Sequence, residues 1–261
     1  MRSFFSIIIL ITFFIAGSIN STYSQNDQKP KLLWVQIERA LPSKVFEYEE
    51  AQKNANEFFK KYLPSAQFYA YSSETDIYYY FFQIENLDDI TKFYESVDEA
   101  VMKSGKDEMQ KIITAFRDKT YSSESEVYVY DKEYSYEPKE PRVKPEEVGF
   151  ERWVIIEYYP YYDEEALNAC KKEIKEFYEK NNVPGDYQMY NKVFGGNSTI
   201  SVTSENGKTR LDYLNYAKDF GDKYWEGFKP LYLKFMNFVK DYKIVDVWNR
   251  KDLSIINEKT K

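Results

Sequence analysis

The feature that most constrains this chain is that its sequence matches itself. Three blocks of the first half recur in the same order in the second half: Leu33–Glu38 at Arg152–Glu157, Glu57–Tyr62 at Glu176–Asn181, and Val127–Tyr130 at Val245–Trp248. The first two matches are 119 residues apart and the third is 118 residues apart. Ordered matches at nearly constant spacing indicate a duplicated structural unit.

Each copy has the same predicted order of elements. Runs of β-branched and aromatic residues predict strands, and apolar residues at helical spacing predict helices at 46–62 and 163–181. Longer helical stretches, at 87–119 and 208–241, are expected to break near Gly105 and between Gly227 and Pro230. The predicted strands are 32–38, 67–72, 77–84 and 125–131 in the first copy, and 152–159, 187–194, 198–204 and 243–249 in the second.

The segment between the copies, residues 136–149, contains three prolines among charged residues. Such a composition is typical of an extended linker that stays outside a core. We therefore predict a first repeat at 25–135 and a second repeat at 150–261, one on each side of this linker.

The order βαββαβ is that of a ferredoxin-like α+β unit, in which helices cover one face of an antiparallel sheet. The other face is too apolar to stay bare, so the two tandem repeats are expected to pack their sheets together as an intrachain pseudo-dimeric barrel. In this element order the chain resembles the dimeric α/β-barrel superfamily of antibiotic-biosynthesis-monooxygenase-like, EthD-like and NIPSNAP-like proteins, here as a fused pair. Haem-handling members of that superfamily generally bind iron through histidine, and this chain has no histidine.

The N-terminus has the layout of a secretory signal peptide. Met1 and Arg2 precede an apolar run from Phe4 to Ile15, and small residues follow before Gln25. A membrane-spanning helix needs roughly twenty apolar residues, more than this run provides. We therefore predict a signal peptide at 1–24 with cleavage near Ser24, a periplasmic or extracellular protein, and no stable membrane anchor.

Composition excludes several classes of function. The absence of histidine removes Ser-His-Asp and Cys-His catalysis and most zinc, copper and haem sites, so we predict no metal and no cofactor. The lone Cys170 cannot form an intrachain disulfide. A net charge of −7, or −8 without Arg2, argues against nucleic acid and anionic membranes as partners. A monomer is the simplest expectation, because one chain supplies both halves of the barrel.

The candidate site follows from strand alternation. If the aliphatic sides of the first and last strands face the helices, their aromatic and polar sides face the barrel interior. This hypothesis places the following residues in an aromatic-lined ligand pocket: Trp34, Gln36, Glu38, Tyr128, Tyr130, Trp153, Glu157, Asp246 and Trp248. The alternative is that the rings merely fill the space between the sheets and that the glutamates lie at the solvated rim.

Three functions remain open on the sequence. The first is a non-catalytic module that binds a small apolar or aromatic-stacking molecule in the cavity between the sheets. The second, implied mainly by the resemblance, is a cofactor-independent monooxygenase-like or isomerase-like enzyme with Glu38 or Glu157 as a buried base. The third is an envelope structural or protein-interaction protein. No catalytic motif is present, which favours binding over catalysis.

Overall fold

The structure is a computed structural model that describes residues 31–196 and 199–256. Within them, eight antiparallel strands form a closed barrel and five α-helices lie outside it. The strands are β1 (Leu32–Ala40), β2 (Tyr69–Ser73), β3 (Ile77–Ile84), β4 (Thr120–Tyr130), β5 (Phe150–Tyr158), β6 (Gln188–Phe194), β7 (Ile200–Gly207) and β8 (Val239–Asn249). The helices are α1 (Val45–Tyr62), α2 (Asp88–Ser104), α3 (Lys106–Phe116), α4 (Glu164–Asn181) and α5 (Arg210–Met236).

The order of strands around the barrel is β1-β3-β2-β8-β5-β7-β6-β4. It contains two four-stranded runs, β4-β1-β3-β2 and β8-β5-β7-β6, which we call the N-terminal and C-terminal sheets. Two seams join them. The β2–β8 seam pairs Tyr71–Ser73 with Val247–Asn249, and the β4–β6 seam pairs Val127–Tyr130 with Tyr190–Phe194. The mixed α/β class and the packing of the sheets into a barrel are confirmed; the tandem duplication stays a prediction.

Each sheet has helices on its outer face and a core beneath them. Under α2, the Trp34 ring packs against Phe93 with centroids 5.4 Å apart, beside Val127. Under α4 and the end of α5, Ile156 and Tyr158 pack with Leu167. The inner core lies inside the barrel. It joins residues of both sheets, namely Val35, Ile37, Ile77, Tyr79, Trp153, Val245 and Val247.

Two short segments, which we call the clasps, connect the two sheets. Clasp 1 (131–136) follows β4, and its Tyr136 forms a β-bridge with Tyr187, just before β6. Clasp 2 (250–255) follows β8, and its Ile255 forms a β-bridge with Phe68, just before β2. Each clasp therefore continues the last strand of one sheet along the neighbouring strand of the other.

A serine fixes each clasp in the same way. Ser135 Oγ donates to the Asp131 carbonyl (2.6 Å) and accepts from the Met189 N–H (2.9 Å). Ser254 Oγ donates to the Arg250 carbonyl (2.9 Å) and accepts from the Ala70 N–H (2.9 Å). One hydroxyl thus shapes the turn and also satisfies a backbone donor of the opposite sheet, as buried polar groups require.

The predicted linker is wrong in one respect, because part of it joins the core. Tyr136, Val143 and Val148 are all under 10% exposed. The Arg142 guanidinium binds the Asp212 carboxylate and the Asn206 carbonyl, each at 2.5 Å. Tyr136 is buried because it is the last residue of clasp 1, and the Val148 carbonyl at the other end of the segment accepts a hydrogen bond from Asn249 of β8.

The predicted breaks in the long helical stretches differ between the two halves. The first occurs as expected, since Gly105 (φ +89°) separates α2 from α3. The second is wrong, because α5 runs unbroken through Gly227 and Pro230. Packing of Phe228 against Phe177 of α4, with centroids 5.5 Å apart, holds the helix together despite the backbone hydrogen bond that proline removes.

The predicted signal peptide and its cleavage site lie outside the described residues. Among the residues that the structure does describe, no helix is both long enough and apolar enough to cross a membrane.

We expect Ser135→Ala and Ser254→Ala each to lower the free energy of unfolding by about 1–2 kcal/mol, because each leaves a buried N–H without its acceptor. The double variant should lose roughly the sum, since the two serines share no partner. Urea unfolding measures these values. Ser96→Ala is the control, because that hydroxyl bonds only within an exposed turn of α2. Equal effects in all three single variants would show that the clasps contribute no special stability.

Candidate functional site

A cavity of about 380 Å³ lies inside the barrel. Its wall combines inward-facing side chains of all eight strands, from Leu33 and Val35 on β1 to Lys243 on β8. Ligand pockets in proteins typically measure about 300–1,000 Å³, so this volume suits a small molecule with one or two rings.

An aromatic cluster around Trp153 forms one side of the cavity. The centroid of the Trp153 ring lies 4.9 Å from that of Tyr79, 5.5 Å from Phe81 and 5.7 Å from Tyr71. Tyr79 and Phe81 come from β3 and Tyr71 from β2, whereas Trp153 belongs to β5, so barrel closure is what brings these rings together. The contacts of Trp153 with Tyr79 and Phe81 are edge-to-face, and such contacts add to the stabilisation that area burial alone provides.

A buried ion pair lies in the wall near the β4–β6 seam. Lys192 Nζ is 2.7 Å from Glu126 Oε1, and the two side chains are only 5% and 15% exposed. The Tyr128 hydroxyl donates to the other oxygen of Glu126 at 2.5 Å. The register places Lys192 directly opposite Tyr128, so pairing across the seam assembles this group of three side chains.

A second carboxylate, Glu151, has a different environment. Its Oε2 accepts from Trp153 Nε1 and from Ser204 Oγ, both at 2.7 Å. Both donors are neutral. Among the described residues no lysine or arginine lies within ion-pair distance of Glu151.

Four tyrosines of the cavity, namely Tyr71, Tyr79, Tyr128 and Tyr190, are protonated at neutral pH. Burial raises the pKa of Tyr79 to about 12. Burial, and then the charge of Glu151, raises the pKa of Tyr71 and of Tyr190 well above the usual value. Burial, and then the hydrogen bond to Glu126, does the same for the pKa of Tyr128. These hydroxyls therefore offer hydrogen bonds and carry no charge of their own.

Three of the predicted site residues lie at or beside the cavity. Tyr128 and Trp153 line the cavity. Tyr130 lies next to the cavity, packs against Tyr190 with centroids 5.4 Å apart, and donates to Glu137 at 2.9 Å. A ligand-binding role for these three residues stays a prediction.

The predicted inward placement of Trp34, Gln36 and Glu38 is wrong, because β1 turns the opposite face to the interior. Trp34 packs under α2 and its Nε1 donates to Ser125 Oγ at 2.7 Å. The Gln36 amide lies 3.2 Å from the same hydroxyl. Glu38 accepts from Ser123 Oγ at 2.7 Å, and burial on this outer face raises its pKa.

Asp246 and Trp248 on β8 are misplaced in the same way. Asp246 binds Arg152 at 2.7 Å and Arg210 at 2.9 Å, outside the barrel. Trp248 packs on Phe150, with centroids 5.7 Å apart, in the core under α5. Glu157 differs from these two, because it shares the strand face of Trp153, but it pairs with Lys240 at 2.7 Å and does not line the cavity.

These errors have two physical reasons. On β1 the aliphatic side, with Val35 and Ile37, faces the barrel interior rather than the helices. On β8 the match with β4 is shifted by one residue. The pairing of β1 with β4 is irregular after Arg39, and that of β5 with β8 after Glu157, so the strands β1 and β5 correspond at 118 residues rather than 119. Ala40 pairs with Thr120 and Tyr158 with Val239, so β4 and β8 correspond at 119 rather than 118. A slip of one residue moves every side chain of a strand to the other face.

Sequence reasoning also missed polar residues of the cavity. Glu126 shares a strand face with Tyr128, and Glu151 shares one with Trp153, so alternation alone could have pointed to both carboxylates. Tyr71 and Lys192 had no such signal, because neither lies in a strand whose inward face the sequence reveals.

These features define the molecule as a closed α/β barrel with an internal, ligand-sized cavity, and solved structures share this fold. One similar solved structure is an anthrone oxidase-like protein, with a TM-score of 0.53, 13% identity, and coverage of 85% of this chain and 92% of that one. Another is a candidate monooxygenase from Lactobacillus acidophilus NCFM, with a TM-score of 0.50, 8% identity, and coverage of 88% and 100%. No protein-family model and no curated protein sequence matches the chain.

We expect Lys192→Met to lower the free energy of unfolding by about 3–5 kcal/mol, because it leaves Glu126 charged and without its cation in the barrel wall. Adding Glu126→Gln should recover much of that loss, which urea unfolding of the single and double variants can measure. The matched control is Lys240→Met at the exposed pair with Glu157, where we expect a loss below about 1 kcal/mol. Similar losses in the two lysine variants would mean that water screens the inner pair as well.

Proposed function

We propose that this protein binds a small organic molecule in the central cavity of the barrel. The observation that supports the proposal most directly is the make-up of the cavity wall. Aromatic rings around Trp153 face the cavity together with a few converging polar groups, among them Glu151, Tyr71 and Lys192. An apolar cavity with a small number of placed polar groups is the usual composition of a ligand site.

A proton-transfer enzyme is the second candidate, and Glu151 rather than Glu38 or Glu157 is the base that it would use. Glu151 is the carboxylate of the cavity wall whose hydrogen bonds all come from neutral groups, so no cation competes with a substrate proton for it. A general base must also lie within hydrogen-bond reach of that proton. Binding of a ligand without turnover would favour the first candidate, and loss of turnover in Glu151→Gln the second.

We further propose that the two sheets are a tandem duplication and that the chain is an exported monomer. The duplication is supported by the clasps, in which Asp131 and Ser135 have the roles that Arg250 and Ser254 have 119 residues later. The monomer is supported by closure of the barrel within one chain. Export rests on the charge and apolar pattern of residues 1–24.

We expect wild-type protein to bind 2-naphthol, a neutral aromatic probe, and Val202→Phe to weaken that binding at least tenfold by filling the cavity that Val202 lines. Ligand-observed NMR measures both affinities. The control is Leu211→Phe, a comparable enlargement at a position on α5 that is 67% exposed. Binding that is unchanged in Val202→Phe would place the probe outside the barrel and contradict the proposal.

For export, we expect the protein expressed with its full sequence in a bacterial host to be recovered from the periplasm or medium with Gln25 as its first residue. Intact-mass measurement determines the N-terminus. The control is Ile8→Arg, which interrupts the apolar run and should leave the unprocessed chain in the cytoplasm. Recovery of wild-type protein from the cytoplasm with Met1 or Arg2 as its first residue would contradict the signal-peptide prediction.

A further inference from the structure

The distribution of charge in the cavity wall is uneven. Glu126 is neutralised by Lys192 at 2.7 Å, and Glu124 by Arg39 at 3.2 Å. Glu151 is held only by neutral donors. It is therefore the carboxylate of the wall that has no cation at ion-pair distance within the described residues.

The other cations near Glu151 either bind a different carboxylate or lie too far along the cavity wall. Arg152, the next residue on β5, points to the outer face and binds Asp246 at 2.7 Å. Lys243 also lines the cavity, but Glu151 pairs with Val247, four residues further along β8. Four strand residues span about 13 Å, so Lys243 cannot form an ion pair with Glu151.

The rings beside Glu151 suit a positive charge as well as an aromatic body. Trp153 adjoins Glu151 through its Nε1, and the Tyr71 ring lies beside the Trp153 ring with centroids 5.7 Å apart. The electron-rich faces of tryptophan and tyrosine attract ammonium groups, and the attraction grows when water is excluded. A carboxylate with neutral partners next to such rings is therefore complementary to an organic cation.

From this juxtaposition we propose that the cavity selects a protonated aromatic amine, whose ammonium group binds Glu151 and whose ring packs against Trp153 and Tyr71. The proposal rests on the proposed function and names the chemical class of the ligand. It predicts discrimination by charge, since an anion of the same size would face Glu151 and a neutral molecule would gain only the aromatic contacts.

Isothermal titration calorimetry with three probes of similar shape tests this selectivity. The probes are tyramine (cationic), 4-ethylphenol (neutral) and 3-(4-hydroxyphenyl)propionate (anionic). We expect tyramine to bind wild-type protein at least tenfold more tightly than either of the others, a difference of about 1.4 kcal/mol or more.

Glu151→Gln should weaken tyramine binding at least tenfold and leave 4-ethylphenol within about twofold. The matched control is Glu124→Gln, which removes a carboxylate of the same wall that already has Arg39 as its partner, and it should keep the preference for tyramine. If Glu151→Gln does not fold, the ranking of the three probes on wild-type protein decides the question alone.

The outcomes separate this inference from the proposed function. Binding of 4-ethylphenol with tyramine no tighter would overturn the selection of cations and leave the cavity as a ligand site. An unchanged preference for tyramine in Glu151→Gln would overturn the role of Glu151. Failure of 2-naphthol and all three probes to bind would overturn both proposals.

Discussion

Closure of the barrel is the constraint on which the other features of this structure depend. Each sheet has one face covered by its own helices and one apolar face that only the other sheet can cover. The two seams are short, with β2 and β8 pairing over only three residues. The clasps extend both seams by one bridge each, so that the last strand of each sheet ends on the backbone of the other. Backbone hydrogen bonds therefore hold the barrel closed together with the side-chain packing of its interior.

Closure also sets the chemistry of the interior. It brings Trp153 from one sheet against Tyr71 and Tyr79 of the other, and it places Lys192 beside Glu126 across a seam. Because burial disfavours charge there, the buried tyrosines stay protonated and charged groups need partners. Glu151 satisfies that requirement with neutral donors alone, so its negative charge remains available to a ligand in the proposed site.

Sequence reasoning succeeded where the signal was long and periodic. It located α1, α4 and the break at Gly105, and it predicted that two bare sheet faces would pack together. It failed for α5, where packing on α4 outweighed a proline, and for Tyr136, where a segment rich in proline joined the core. In both cases a contact distant in sequence overrode a local preference.

The amino-acid sequence by itself determined the kinds of elements, their order, and the chemistry that a chain without histidine cannot perform. The tertiary structure alone decided which face of each strand is directed to the barrel interior. Matching the two halves by sequence put Trp34 opposite Trp153, yet the strand pairings shift that match by one residue and send Trp34 under a helix. Successive side chains of a strand point to opposite faces. A shift of one residue between the two halves barely changes the sequence match, but it moves each side chain between the core under the helices and the cavity.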